Sequence, residues 1–530
     1  MKGAILGALL AGCIPIAASA QPVATPVVET ESGKVQGLED RGIDAFLGIR
    51  YAAPPIGDLR FMPPQKPAKD SGIADATGYG APCMQLYTPS GPNESDVTRG
   101  IQAIFPTSTE AKIDNEDCLF LNVWTPAAGD GGKRPVMVWF HGGGYAYGSG
   151  NWPAYNGRNL AEKGDVVVVT VNHRLNAFGY LNLAEKFGEV YAASGNVGNL
   201  DLVRSLEWVR DNIAAFGGDP ANVTIMGESG GGSKVSHLMA MPVADGLFHK
   251  AIVQSGPGVV SGKPAEAAAY AADILKAAGV ETREDLVAVR ADEIVDAVRK
   301  ATPPGSGMGR GPQFGPIADG TIVPRDPFLP AAPEQSRDIP LLIGYNKDEM
   351  TLFVASQPWF GRLDEAGLSA MSAMLGKQAV AAVDAYRKAY PDYSPTHLAA
   401  IAMGGRFVRG TYLLADQQSR TASAPVYVYR LVWETPVAGG MFRTPHTLDI
   451  PFMFDNAQES AALVGTGEAP ERMGQIMSDA WISFARSGSP SSELLPEWKP
   501  YTAKARMVME LDVESRLTDD PEKAIRELSD

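Results

Sequence analysis

The stretch "MGESGGG" (residues 226–232) sets glycines at 227, 230, 231 and 232 around one serine, Ser229. Glycine costs backbone entropy on folding, so such crowding marks a place where the chain turns sharply or passes close to other atoms. Two readings compete: a mobile polar loop, or a strained turn that holds a reactive hydroxyl in the open. The flanking sequence favours the second. "ANVTIMGES" (221–229) reads as a strand, and "GGSKVSHLMAM" after it can start a helix. Gly227-Glu228-Ser229-Gly230-Gly231 is then a G-x-S-x-G at a strand-to-helix turn. Small neighbours permit the bend, and the helix start supplies backbone N–H groups.

The same alternation extends outward in both directions. "RPVMVWFHGGG" (134–144), "GDVVVVTVNHR" (164–174), "KAIVQSG" (250–256), "IPLLIGYNKDE" (339–349) and "APVYVYRLVW" (424–433) also read as strands. Their unbroken Val, Ile and Leu runs suit strands buried on both faces. "NLDLVRSLEWVRDNIAAFGG" (199–218) carries Leu200, Val203, Leu206, Val209, Ile213 and Phe216 on one helical face and ends in Gly217-Gly218. Strands alternating with helices predict an α/β fold with a mostly parallel central sheet. No fixed-period repeat and no clean linker interrupts it; Gly/Pro-rich "ATPPGSGMGRGPQFGP" (301–316) reads as a surface loop. Residues 21–530 are therefore expected to form one domain.

The 530-residue chain carries 46 basic and 61 acidic residues, a formal net charge of −15. This argues against nucleic acid as a partner, because phosphate binding needs a basic surface. "MKGAILGALLAGCIPIAASA" (1–20) reads as an export signal: one lysine, an apolar run too short to span a bilayer, then Ala18-Ser19-Ala20 as a cleavage pattern. Leu10-Ala11-Gly12-Cys13 resembles a lipoprotein box, but the apolar run continues past it. The chain is thus expected to be exported, with no membrane span. Once the signal is removed, only Cys83 and Cys118 remain. In an oxidising compartment the simplest reading is one disulfide closing a loop of about 35 residues, worth roughly 3–4 kcal/mol by chain entropy.

A nucleophilic serine needs an oxyanion hole, a base, and an acid that orients the base. "WFHGGGYAYGSG" (139–150) offers the first: glycines directly after a strand let Gly143 and Gly144 turn N–H groups toward a developing charge, with Gly230 as third donor. Of the six histidines, His141 belongs to that motif and His173 precedes "RLNAFGYL". His237 and His249 fall in or after the helix behind Ser229, and His397 sits in a polar turn, "YSPTHL". His446, in "MFRTPHTLDIPFMF", is the only one that follows all the strands in a loop, so it is the expected base. An unperturbed histidine titrates near 6.5, so kcat/KM is expected to rise between acidic and neutral pH. The acid should end a strand between the two. "LLIGYNKDEM" offers Asp348 and Glu349, which point oppositely in extended chain, and pattern alone does not choose between them.

At this point the chain resembles the type-B carboxylesterases, the cholinesterase-like branch of the α/β-hydrolases. "FLGIRYAAPPIGDLRFMPPQ" (46–65), "EDCLFLNVWTP" (116–126), "VNHRLNAFGYL", "GNVGNLDLVRSLEWVRDNIAAFGGDPANVTIMGESGGG" and "KAIVQSG" follow one another in the family's order. "QFGPIADG" (313–320), "LLIGYNKDEM", "HTLDIPFMF" and "DAWISFARSGSP" (479–490) complete it, so the resemblance covers roughly residues 30 to 505. It implies an α/β-hydrolase fold with insertions over the site. It also implies Ser229 as nucleophile, Glu349 as acid, His446 as base, Gly143, Gly144 and Gly230 as oxyanion donors, and a Cys83–Cys118 disulfide. Arg50 stands where proline is usual, Gly230 for alanine, Met350 for glycine and Leu202 for glutamine. Gly230 is expected to loosen the turn slightly while keeping the N–H.

The expected activity is cleavage of small-molecule carboxylic esters through an acyl-enzyme, with no metal or organic cofactor required. Amide or thioester hydrolysis by the same groups is the alternative, and a non-catalytic binding member of the fold is disfavoured by the intact trio. Glu228, beside the nucleophile, either places negative charge at the site or is simply a buried, hydrogen-bonded carboxylate. Substrate preference is expected to lie in the 83–118 and 301–316 loops.

Overall fold

The computed structural model describes residues 23–86, 96–106, 114–303 and 314–528. The leader reading of residues 1–20, Cys13 included, lies outside them, as do much of the 301–316 loop and parts of the segment between Cys83 and Cys118. Twelve strands form one sheet. The first half comprises β1 (Val23–Ala24), β2 (Leu38–Asp40), β3 (Ile43–Arg50), β4 (Phe120–Thr125), β5 (Arg134–Phe140) and β6 (Val167–Val171). The second comprises β7 (Gly218–Glu228), β8 (Lys250–Gln254), β9 (Leu341–Asn346), β10 (Val426–Leu431), β11 (Met507–Leu511) and β12 (Arg516–Asp519). Their spatial order is β1-β2-β3-β4-β6-β5-β7-β8-β9-β10-β11-β12. Every neighbouring pair from β6 to β11 is parallel, and the pairs at both edges are antiparallel. A separate three-stranded sheet joins residues 28–30, 33–36 and 73–75.

The six strands expected from sequence are β5 to β10, the parallel block, and they are buried throughout their apolar stretches. Val138, Val169, Ile225, Val253, Ile343 and Val428 are all fully shielded, and each such side chain contributes about 1.5–3 kcal/mol of transfer free energy. Sequence reading did not pick out β3 and β4 as strands. They meet the block edge-on and antiparallel, a placement that no run of their own sequence specifies.

Helices cover both faces. α1 (Val197–Asn212) ends in a 3₁₀ turn at Phe216, where Gly217 takes a left-handed φ of 78°. The expected apolar stripe faces the core, but Asp201 and Arg204 on its flank are buried as well. Asp201 is held by a two-pronged contact from Arg174, with N–O distances of 2.7 and 2.9 Å. Four further helices bear on the site: α2 (Gly230–Leu238), α3 (Met350–Val354), α4 (Gly405–Thr421) and α5 (Glu468–Ser487). Cys83 and Cys118 form a disulfide, with Cα atoms 4.9 Å apart. Among the described residues, no helix is long and apolar enough to cross a membrane.

Candidate active site

Five neighbouring parallel strands, β5, β7, β8, β9 and β10, end on one edge of the sheet, and the chain leaving each contributes to one cluster of side chains. In open α/β sheets this carboxyl edge is where ligands bind. Backbone bonds stitch the edge together. Ser229 N–H donates to Gln254 O at 2.8 Å, Ser255 N–H to Gly344 O at 2.8 Å, and Lys347 N–H to Leu431 O at 3.0 Å.

Ser229 caps α2 with φ 58° and ψ −121°, a conformation that a non-glycine residue adopts only when its surroundings impose it. The surroundings here are backbone on every side. A Cβ on Gly231 would fall 2.0 Å from Phe140 O, and one on Gly230 would fall 2.2–2.6 Å from the backbone of Gly144. The glycines therefore admit the chain ends of β5 and β7 to van der Waals contact with each other. Gly230, expected to loosen the turn, instead receives the Gly144 backbone in the space an alanine methyl would fill.

Gly143 and Gly144 have φ values of 84° and 61°. Among the described residues, neither donates its N–H to a protein acceptor. The N–H of Gly230, first in α2, is free by helix geometry. Lys234, one turn into α2, lies behind this loop. It is fully shielded, and its Nζ donates to His141 O at 2.8 Å, directly before the three glycines. Burial drives this amine well below the usual lysine range. His141 and His173 stack beside it with centroids 4.9 Å apart, and burial holds both neutral. Sequence reading passed over Lys234, because a lysine in a helix ordinarily reads as a solvated side chain.

Glu349 and His446 come together from 97 residues apart. Nδ1 of His446 lies 2.5 Å from Glu349 Oε2, and Asn346 N–H donates to Glu349 Oε1 at 2.8 Å. Both side chains are buried, and the imidazole is flanked by the rings of Phe353 and Phe407 at 4.8 and 5.2 Å. Asp348 is turned away: its carboxylate accepts from the Tyr393 hydroxyl at 2.9 and 3.1 Å. The two acids diverge for a reason other than strand alternation. β9 ends at Asn346, and Glu349 already has helical angles of −38° and −42° before α3. His446 sits in a loop, as expected, but β11 and β12 follow it at the far edge of the sheet. His397, expected in a polar turn, lies within a buried helix, Pro395–Met403, and its Nε2 lies 3.0 Å from Met441 O.

Glu228 is the other carboxylate on the imidazole. Its Oε1 lies 3.1 Å from His446 Nε2, and it is 1% exposed. Among the described residues, no hydrogen bond joins Nε2 to Ser229 Oγ in this conformation. Burial alone would favour a neutral ring at His446. The charges of Glu228 and Glu349 and the hydrogen bond that His446 Nδ1 donates to Glu349 outweigh it, raising the imidazole to about 9. Burial likewise pushes Glu228 well above the usual carboxyl range, against the pull of His446. Glu349 is also raised by burial, opposed first by His446 and then by the Asn346 N–H.

Known proteins resemble this chain over nearly its whole length. A model of the carboxylesterase family matches residues 24–526. The chain belongs to the carboxylesterase family. It is 35% identical to a para-nitrobenzyl esterase of Bacillus subtilis (strain 168) over 94% of this chain and 98% of that one. It is 32% identical to a liver carboxylesterase of Sus scrofa over 91% and 88% of the two chains. A crystal structure of a Geobacillus stearothermophilus carboxylesterase superposes with a TM-score of 0.79 at 37% identity, covering 95% of this chain and 99% of that one. The protein is accordingly an α/β-hydrolase that cleaves carboxylic esters. Within this carboxylesterase, Met350 is buried at the start of α3 and Leu202 is fully buried in α1. Both unusual residues thus pack in the core.

Proposed function

We propose that ester cleavage here runs through Ser229 as nucleophile, His446 as general base and Glu349 as its orienting acid, with the N–H groups of Gly143, Gly144 and Gly230 receiving the oxyanion. The observation that carries this reading is the 2.5 Å contact between His446 Nδ1 and Glu349 Oε2, buried beside the strained Ser229 turn. A proton on Nδ1, held by Glu349, leaves Nε2 as the acceptor. Ser229 Oγ attacks the ester carbonyl as its proton passes to Nε2. The tetrahedral oxyanion rests on the three N–H groups, whose loop Lys234 ties to α2, and one such donor is worth about 10²–10³ in kcat. His446 then returns the proton to the departing alkoxide, and a water activated by the same nitrogen cleaves the acyl-enzyme.

Glu228 competes for that nitrogen, since its Oε1 lies 3.1 Å away. Catalytic hydrogen bonds often tighten only in the complex with substrate. On this reading the Ser229–His446 bond forms when substrate binds and the imidazole is drawn off Glu228.

Residues 21–530 are read as a single domain, supported by one sheet whose strands run from residue 23 to residue 519. We also read the chain as exported with residues 1–20 as its signal; the Cys83–Cys118 disulfide supports an oxidising compartment. The test of the catalytic assignment is covalent. An organophosphate that mimics the acyl group should inactivate the enzyme with one equivalent bound, and peptide mapping should find the adduct on Ser229. A stoichiometric adduct on any other serine would sink the assignment.

A further inference from the structure

Arg406 stands in the first turn of α4, next to Phe407, whose ring packs against the His446 imidazole. Its guanidinium carbon lies 4.7 Å from the centroid of the Phe407 ring. Together these two contacts keep the guanidinium within about 10 Å of the imidazole. The residue is exposed, and among the described residues it makes no hydrogen bond or ion pair to a protein acceptor. Arg409, one turn further along α4, is likewise exposed and without an acidic partner.

Three buried arginines of the chain differ in this. Arg174 is clasped by Asp201, Arg430 by Glu522, and Arg60 by Glu116. With 61 acidic residues against 46 basic ones, carboxylates are plentiful, yet none of those among the described residues is placed on Arg406. The carboxylate whose charge it feels is Glu349, which His446 already engages. Partial desolvation pulls the Arg406 guanidinium somewhat below its ordinary range, against that charge. A charge held over an aromatic face beside the reacting groups, with its donors unused, is arranged to receive an anion. Guanidinium meets carboxylate through paired N–H donors, a geometry that lysine does not reproduce. The acidity of the chain as a whole opposes this weakly, because exposed charges beyond about 8 Å are largely screened at physiological salt.

We propose that Arg406 binds a free carboxylate on the substrate, so that the site prefers esters carrying an anionic group within about 10 Å of the scissile carbonyl, the half-esters of dicarboxylic acids being the simplest. The proposal rests on the Ser229 reading for the position of that carbonyl.

The experiment compares two 4-nitrophenyl esters of matched acyl length, the glutarate half-ester and the neutral pentanoate, in the wild type, Arg406→Met and Arg406→Lys. The readout is the ratio of kcat/KM for the half-ester to that for the pentanoate. Arg406→Met is expected to lower this ratio about tenfold or more, the worth of a charge-assisted contact, with the loss mainly in KM. Arg406→Lys should recover part of it, and raising the salt concentration should lower the wild-type ratio. A ratio that Arg406→Met leaves within twofold of wild type overturns the proposal, as does an equal loss on both esters. If the wild type cleaves the pentanoate and rejects the half-ester, the proposal fails while the Ser229 reading stands. If Ser229→Ala keeps the wild-type rate on the pentanoate, the Ser229 reading falls and takes this proposal with it.

Discussion

Seven consecutive residues, 226–232, build the turn that presents Ser229, whereas the imidazole and carboxylate that face it stand 97 residues apart. The turn is specified by close approach: Gly230 and Gly231 lie where any larger residue would strike the backbone of Gly144 or Phe140. The acid–base pair is specified by topology, because adjacent strands β9 and β10 must deliver their loops to one edge. The largest test of the difference is Ser229→Ala, which removes the proposed nucleophile but none of the backbone contacts. Turnover of a simple aryl ester should fall by roughly four orders of magnitude or more with the melting temperature little changed. Retention of even a tenth of the rate would detach the turn from the chemistry.

The second test falls on the pair. Glu349→Gln replaces an anion with an amide at 2.5 Å from Nδ1, favouring the wrong imidazole tautomer. It should lose at least about a hundredfold in kcat while still folding. Asp348→Asn touches a carboxylate held by Tyr393, so its effect should appear mainly as a lower melting temperature. Both variants assayed on one ester decide the matter: an inactive Asp348→Asn beside a near-normal Glu349→Gln would exchange the roles of the two acids.

The same contrast explains what could be read in advance. The turn, the glycine loop and the six parallel strands are local patterns, legible from spacing alone. His446 was reached by chain order, although β11 and β12 come after it. Glu349 over Asp348 needed the family resemblance, because the turn that separates them begins three residues earlier than strand alternation assumes. Lys234 carries no local signal. Its importance arises from what the fold sets against it, the carbonyl of His141 directly before the glycine loop.

A third, smaller effect sharpens the account of the turn. Gly230→Ala restores the residue usual in the family but puts a methyl 2.2–2.6 Å from the Gly144 backbone. That loop must retreat, drawing Gly144 N–H off its line to the oxyanion. We expect kcat to fall about tenfold, less than the loss of a whole donor, with KM nearly constant. A kcat equal to wild type would mean that the loop yields without cost and that the close approach has no bearing on the oxyanion site.

The last test joins the two regions, because Glu228 belongs to the turn by sequence and acts on the pair by position. A histidine near 6.5 would give a kcat/KM that levels off by neutral pH. With Glu228 and Glu349 both against the ring, the imidazole is raised to about 9. The base form is the neutral ring, so activity should climb as pH rises and be half-maximal near 9 rather than below 7. Glu228→Gln removes the carboxyl that, when ionised, holds the proton on His446, while preserving size. The proton on His446 is then held less firmly, the midpoint moves down, and a larger fraction of the enzyme carries the base form at pH 7. The shift should appear in the kcat/KM profile of the free enzyme, measured on a neutral ester between pH 5 and 10. If the midpoint stays where it was, Glu228 exerts no control over His446, and its carboxylate is a buried neighbour without influence on the proton transfer.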